Sequence, residues 1–408
     1  MSKEQKNKLV PALRFPEFKD NGVWEEKELG EILVEGRLGG NYENSEADAG
    51  IPVIKMGNLD RGIINTHKLQ YLPKDSEYFE EDILNKNDLL LNTRNTLELV
   101  GKVAIWREEL SKALYNSNLL RMTFHKDVIA NNVFMNYLFN TQTTISSLRS
   151  IATGTTSVAA IYTKDLLKLI ISFPSLSEQQ KIADCLSSLD ELIDAESQKL
   201  DALKDHKKGL MQQLFPAQGK TVPELRFPGF EGEWEEKTLG EMANNLNSKR
   251  IPITESEREN GEIPYYGASG IIDYVKDYIF DDNLLCISED GANLVTRTYP
   301  IAFSISGKTW VNNHAHVLKF ESEFTHVLVE NYLNAINLEA FLTGAAQPKL
   351  NRAKLDIIPI PIPDSPNEQR NIADCLTVID ELITAQAERI EHLKEHKKGL
   401  MQQLFPSV

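Results

Sequence analysis

Apolar residues recur at alternating steps of four and three along two stretches of the chain. The first carries Ile182, Leu186, Leu189, Ile193, Leu200, Leu203, Leu210 and Leu214. The second carries Ile372, Leu376, Ile379, Ile383, Ile390, Leu393, Leu400 and Leu404. That spacing holds one apolar stripe along one side of a helix and predicts a coiled-coil seam. Polar residues interrupt it at Glu196 and Lys207, and at Gln386 and Lys397, where they are expected to fix the register. Each stretch opens on a capping-box pattern, Ser175-Leu-Ser-Glu178 and Ser365-Pro-Asn-Glu368, the second with Pro at its first helical position. Pro216 and Pro406 close them. At 1.5 Å per residue each helix is roughly 58 Å long. Alone, either would leave its stripe in water, so the simplest burial is of each against the other. If a pseudo-two-fold axis relates them, they run antiparallel.

The remaining pattern is mixed. Runs at 51–59, 102–106, 263–275 and 301–305 read as strands, and 131–148 and 324–342 as helices. The predicted fold class is α/β: two globular α/β domains separated by two long antiparallel coiled-coil helices, in a pseudo-two-fold repeat. The predicted divisions are 1–174, 175–216, 217–364 and 365–408.

Direct comparison of the two halves supports this duplication. Residues 178–216 match 368–406 without a gap, 25 of 39 positions being identical, including all of HKKGLMQQLFP. VPALRFPEFKDNGVWEEKELG at 10–30 returns as VPELRFPGFEGEWEEKTLG at 222–240. Between these ends the copies share only traces. Asp88-Leu-Leu-Leu-Asn aligns with Asn283-Leu-Leu-Cys-Ile, Asn116-Ser-Asn118 with Asn312-Asn-His314, and Thr153-Gly154 with Thr343-Gly344. A constant frame with divergent contents fits loops that drift faster than helices, and it fits more closely, given how abrupt the contrast is, contents chosen to recognise different things.

Composition narrows the class. With 44 basic and 60 acidic residues the net charge is −16, which excludes a polybasic protein that coats nucleic acid. Neither mixed domain is basic, at −4 over 24–175 and −7 over 234–361. Three cysteines are too few for a disulfide scaffold and point to a reducing compartment. No run reaches the roughly 18 apolar residues a membrane span needs, and the N-terminus lacks a signal-peptide core. A cytoplasmic, membrane-free location is expected.

The motifs that would carry catalysis are incomplete. Ser306-Gly-Lys-Thr309 mimics the end of a phosphate loop, but Ala302 stands where the first Gly belongs, so a polar turn is expected. Glu25-Glu-Lys27 and Glu235-Glu-Lys237 mimic a nuclease motif but lack a consistent upstream Asp, and read as solvated charge beside Trp24 and Trp234. The cysteines lack metal spacing: Cys185 and Cys375 are equivalent helical positions and Cys286 lies in an apolar strand. His206 and His396 belong to the repeated frame. His314 and His316 are expected to face one side of a strand without further ligands.

The repeated EQQKIADCLSSLDELI (178–193) and EQRNIADCLTVIDELI (368–383), the Thr-Gly turns including TGAAQPKLNRAKL (343–355), and the LRFP…WEEKxLGE segments resemble the specificity subunits of type I restriction–modification enzymes. The resemblance covers essentially the whole chain, in the order recognition domain, helix, recognition domain, helix. It departs where the second copy keeps Ala-Gln-Pro-Lys after its Gly and the first has Thr-Thr-Ser-Val-Ala. It implies a non-catalytic subunit whose two domains read the halves of a bipartite, asymmetric site in double-stranded DNA. The helices would set the spacer and dock two methyltransferase subunits, with restriction subunits joining the full complex. No cofactor is expected on this chain; S-adenosylmethionine, ATP and Mg²⁺ belong to the partners. The rival readings are a protein-only coiled-coil adaptor and a stand-alone DNA-modifying enzyme.

Residue types that read base edges and phosphates suggest candidate DNA contacts. In the first domain these are Lys55, Asn58, Arg61, Asn92, Thr93, Arg94 and Lys102. In the second they are Lys249, Arg250, Tyr266, Ser269, Asn293, Arg297, Lys308 and Lys349.

Overall fold

The computed structural model describes residues 9–46, 50–344 and 347–406. It separates into two compact units. One takes the chain up to Ala195 together with the stretch from Ile390; the other is Glu196–Arg389. The division therefore passes through both long helices, Leu176–Leu214 and Pro366–Leu404, rather than at their ends.

In the first unit Leu33–Leu38, Leu119–Phe124, Leu89–Asn92 and Val103–Ile105 form an antiparallel sheet in that order. A second sheet orders Gln70–Pro73, Gly50–Ile54 and Leu114–Tyr115, the last pair parallel. Glu25–Glu28 pairs antiparallel with Ile170–Phe173. The core gathers Trp24, Leu89, Leu91, Phe134 and Phe173 with Ile182, Ala183 and Leu186 of the first helix, Leu404 at the end of the second and Phe405 just after it. Phe405 lies 5.9 Å from both the Trp24 and Phe134 rings. Lys397 donates to Asp190 further along, so within this unit the two helical stretches run antiparallel.

The second unit repeats the plan. Its first sheet orders Asn244–Asn245, Ala315–Lys319, Leu284–Ser288 and Ala302–Ile305. Its second orders Gly270–Val275, Asn260–Gly267, Lys308–Val311 and Phe280–Asp281, with the middle pair again parallel. Glu235–Thr238 pairs with Pro359–Ile362. Trp234 is packed by Phe215 at 5.8 Å, beside Ile372, Ala373 and Leu376. Lys207 donates to both oxygens of Asp380 at 2.6 and 2.8 Å, the counterpart of Lys397 with Asp190. Gln386 donates to the Glu196 carboxylate at 2.6 Å. The polar breaks in the stripe are thus engaged in pairs. All twelve positions from Ile182 to Leu203 and from Ile372 to Leu393 named for the seam are buried or half-buried.

Four local readings change. The Glu of each capping box does not reach back to its own helix start. Glu178 is buried and takes a two-pronged ion pair from Arg14 at 2.7 Å; Glu368 takes one from Arg226 at 2.7 and 2.9 Å. Each arginine also donates to a carbonyl in its own arm, Gly22 or Gly232. The LRFP arm is thereby tied to the start of its following helix, while Leu13 N–H donates to Gln403 and Leu225 N–H to Gln213. Secondly, 131–148 is two helices, Asn132–Phe139 and Gln142–Ser150, because Thr141 caps the second through its hydroxyl. The helix expected over 324–342 is Glu323–Ala335; Arg297 caps its end by donating to Leu333 and Ile336 carbonyls. The strand expected over 51–59 ends at Ile54, where a short turn of helix follows.

Candidate nucleic-acid interface

In each unit the central strand of the first sheet ends on a loop, and the same backbone hydrogen bonds hold that loop. In the first unit Thr93 N–H donates to Asn118, Ile161 N–H donates to Thr93, and Asn118 N–H donates to the Asn116 side chain. In the second, Glu289 N–H donates to His314, Leu350 N–H to Glu289, and His314 N–H to the Asn312 side chain. Thr153 and Arg94 both pair with Ala160; Thr343 and Asp290 both pair with Lys349. Thr93 thus corresponds to Glu289, one residue further on than the alignment of Asp88 with Asn283 implies. A slip of one residue along a strand exchanges its two faces, so the correction matters.

The Thr-Gly turn completes the cradle. Gly154 and Gly344 have φ of +142° and +82°. A Cβ there would lie 2.2 Å from the Val158 carbonyl oxygen or 2.5 Å from that of Gln347. Both positions therefore require glycine. Ala345 and Ala346 of the second turn lie outside the described residues.

Of the first-domain candidates, Arg94 is exposed, and its guanidinium has no partner among the described residues. Thr93 donates its hydroxyl to Asn118. Asn92 is fully buried and braces the loop, accepting from Arg94 N–H and donating to Leu99. Asn58 is buried and donates to the Asn65 and Lys68 carbonyls. Lys55 is taken by Asn44 and Gln70, and Lys102 by Asp60 at 3.1 Å. Arg61 has a buried Nη1 without a partner among the described residues; burial, then Arg149, hold its pKa below the usual value.

Of the second-domain candidates, Lys349 is exposed, 3.4 Å from Glu289. Arg250 is drawn inward, donating to Glu289 at 2.8 Å and to the Ala315 carbonyl. Asn293 is buried and pins Tyr299, and Arg297 caps the end of Glu323–Ala335. Tyr266 stacks on Phe303, and burial raises its pKa. Ser269 hydrogen-bonds the Tyr299 hydroxyl at 3.0 Å. Lys308 sits over the Tyr278 ring and Lys249 is exposed. The structure brings Arg94 and Thr93 onto one cradle and Lys349 onto the other. It adds Asp290, which sequence reasoning passed over, and His314, which the sequence singled out only as one of a histidine pair.

The two histidines part company. His314 is exposed, its Nδ1–H held by the Asp290 carboxylate at 2.9 Å. His316 is buried, donating from Nε2 to the Leu350 carbonyl and accepting at Nδ1 from Asn247, both at 2.7 Å. Burial lowers the His316 pKa. Of Ser306-Gly-Lys-Thr309, expected as a polar turn, only Ser306-Gly307 turns between two strands; Lys308 and Thr309 already belong to the second. Cys286 is buried in a strand, which pushes its thiol pKa up. Among the described residues no group of three His, Cys, Asp or Glu is placed to hold a metal ion. No helix among them is long and apolar enough to cross a membrane.

Comparison with known proteins agrees with this architecture. The type I restriction modification DNA specificity domain matches twice, at 21–205 and 231–395, which is most of the chain. A putative type I restriction enzyme specificity subunit of Haemophilus influenzae is 40% identical over 162 residues, spanning 39% of this chain but only 41% of that protein. The putative MjaX specificity subunit of Methanocaldococcus jannaschii is 26% identical over 398 residues, 94% of this chain and 92% of its own. The crystal structure of a type I restriction–modification S subunit from M. genitalium shares the fold, with a TM-score of 0.64 at 17% identity over 98% of this chain and all of the other. A chain from a structure of type I restriction–modification complex assembly gives 0.53 at 16%, covering 94% of this chain and 98% of its own. With both specificity domains present in one chain, the protein belongs to the type I restriction–modification specificity subunits.

Proposed function

We propose that each unit reads one half of a bipartite, asymmetric site in double-stranded DNA and that the chain itself performs no chemistry. The observation that carries this is the pair of cradles: one set of backbone hydrogen bonds, two different sets of side chains. Half-sites of different sequence call for different side chains on one scaffold.

The two 39-residue helices set the separation of the half-sites and dock two methyltransferase subunits. A helix of roughly 58 Å exceeds the about 34 Å of one duplex turn, enough for a few unread base pairs between the halves. Methylation of adenine at N6 would then rest on S-adenosylmethionine held by the partners. ATP and Mg²⁺ would serve restriction subunits where those join. The assembly would work in the cytoplasm. With both recognition domains acidic, the chain alone should bind duplex weakly, and the partners would supply the clamp.

A genome-wide map of N6-methyladenine, made with the methyltransferase present and this chain either present or deleted, tests the reading. A two-part motif with a fixed gap should appear only with the chain. A map that does not change overturns it and favours a protein-only adaptor.

A further inference from the structure

Superposing the two hydrogen-bond schemes sets three cradle positions of one unit against three of the other. Arg94 falls on Asp290, Ala160 on Lys349, and Asn118 on His314. The central position is inverted in charge, and its neighbours change with it. Arg94 stands beside neutral Ala160 and Asn118. Asp290 stands beside Lys349 and is held by His314 Nδ1–H at 2.9 and 3.1 Å. A carboxylate facing a duplex is repelled by the phosphates, so it requires cations close by; an arginine does not.

We propose that Arg94 and Asp290 occupy one base-reading position in two copies and select opposite kinds of base edge. This rests on the reading of the chain as a DNA reader and deepens it. A guanidinium fork donates to paired acceptors and fits guanine O6 and N7. A carboxylate only accepts and fits an exocyclic amino group, cytosine N4 foremost. Arg94 has the freedom the role demands, since its guanidinium meets no partner among the described residues. Asp290 has spare acceptor capacity, because both its oxygens share the one His314 Nδ1–H and a carboxylate offers about four lone-pair sites. The glycine turns fix the loops behind both positions, so the side chain, not the backbone, carries the difference.

The test uses the full chain with its methyltransferase subunits and a library of duplex DNA randomised at every position, sequenced after capture. Arg94→Ala should flatten the preference for one base pair in one half-site by about tenfold to a hundredfold. The other half should be untouched. Arg94→Lys, which keeps the charge and loses the fork, should lose most of the same preference. Asp290→Asn should alter one base pair in the other half. Melting temperatures of the variants serve as the control on folding. If each profile keeps its shape while capture falls equally for all sequences, these are phosphate contacts or loop staples and the proposal is wrong. An unchanged profile sinks it too. If the unsubstituted complex selects no sequence at all, the DNA-reading function itself fails.

Discussion

Arg94 of the first unit and Asp290 of the second occupy the same place in the same hydrogen-bond scheme, yet carry opposite charge. The frame, by contrast, repeats the same contacts in both copies. Arg14 grips Glu178 as Arg226 grips Glu368, Phe405 packs on Trp24 as Phe215 packs on Trp234, and Lys397 meets Asp190 as Lys207 meets Asp380. The contrast locates where identity is required. Buried charge and aromatic packing tolerate little change, because an unpaired ion or a void is expensive. A loop whose backbone is already satisfied can exchange its outward side chains freely, and so can change what it reads.

The sharpest way to break the comparison is to attack the frame. Glu178 and Arg14 are both buried, so Arg14→Ala strands a carboxylate and should cost about 3–5 kcal/mol in denaturant unfolding. Arg226→Ala should do the same to the second unit. Replacing both partners of either pair with apolar residues should recover most of that loss, since the penalty comes from the orphaned charge.

A smaller effect is expected at the turns. Gly154→Ala or Gly344→Ala forces a Cβ against a carbonyl oxygen at positive φ and should cost about 1–3 kcal/mol locally. The informative readout is divergence between stability and selectivity. The fold should survive, while preference degrades only in the half-site read by the altered unit.

The smallest effect is a difference in pH response. Burial holds His316 and His326 below their ordinary value of 6.5. The unfolded chain therefore takes up protons that the second unit refuses, and its stability falls as pH drops below 6.5. Histidines of the first unit, His67 and His125 among them, are exposed. Unfolding followed by hydrogen exchange should show the second unit losing protection first on mild acidification. His316→Gln should reduce that slope.

Much of this was legible in the residues. Helical spacing from Ile182 to Leu214 and from Ile372 to Leu404 marked both long helices, because a four-and-three rhythm sustained over so many turns keeps to one face only when the chain is helical. The faint traces at Asn116, Thr153 and their counterparts are walls of the cradles. The clamp by Arg14 was hidden, since 164 residues separate it from Glu178 and a local capping box accounted for the same glutamate. The candidate contacts suffered from a related limit. Residue type identifies what can touch DNA, but not that Asn58, Asn92 and Asn293 spend their amides on nearby backbone. Asp290 went unnoticed because an acid is not the first residue sought at a polyanion surface.

The central claim is that a constant frame presents interchangeable readers. It is tested most directly by a hybrid in which residues 31–160 are replaced by 241–349, so that both frames carry the second set of contents, Lys349 included. Methylation mapping with the methyltransferase partners should then return a site whose two halves have the same sequence, with the gap of the parent. Two different halves, as in the unaltered chain, would contradict the account.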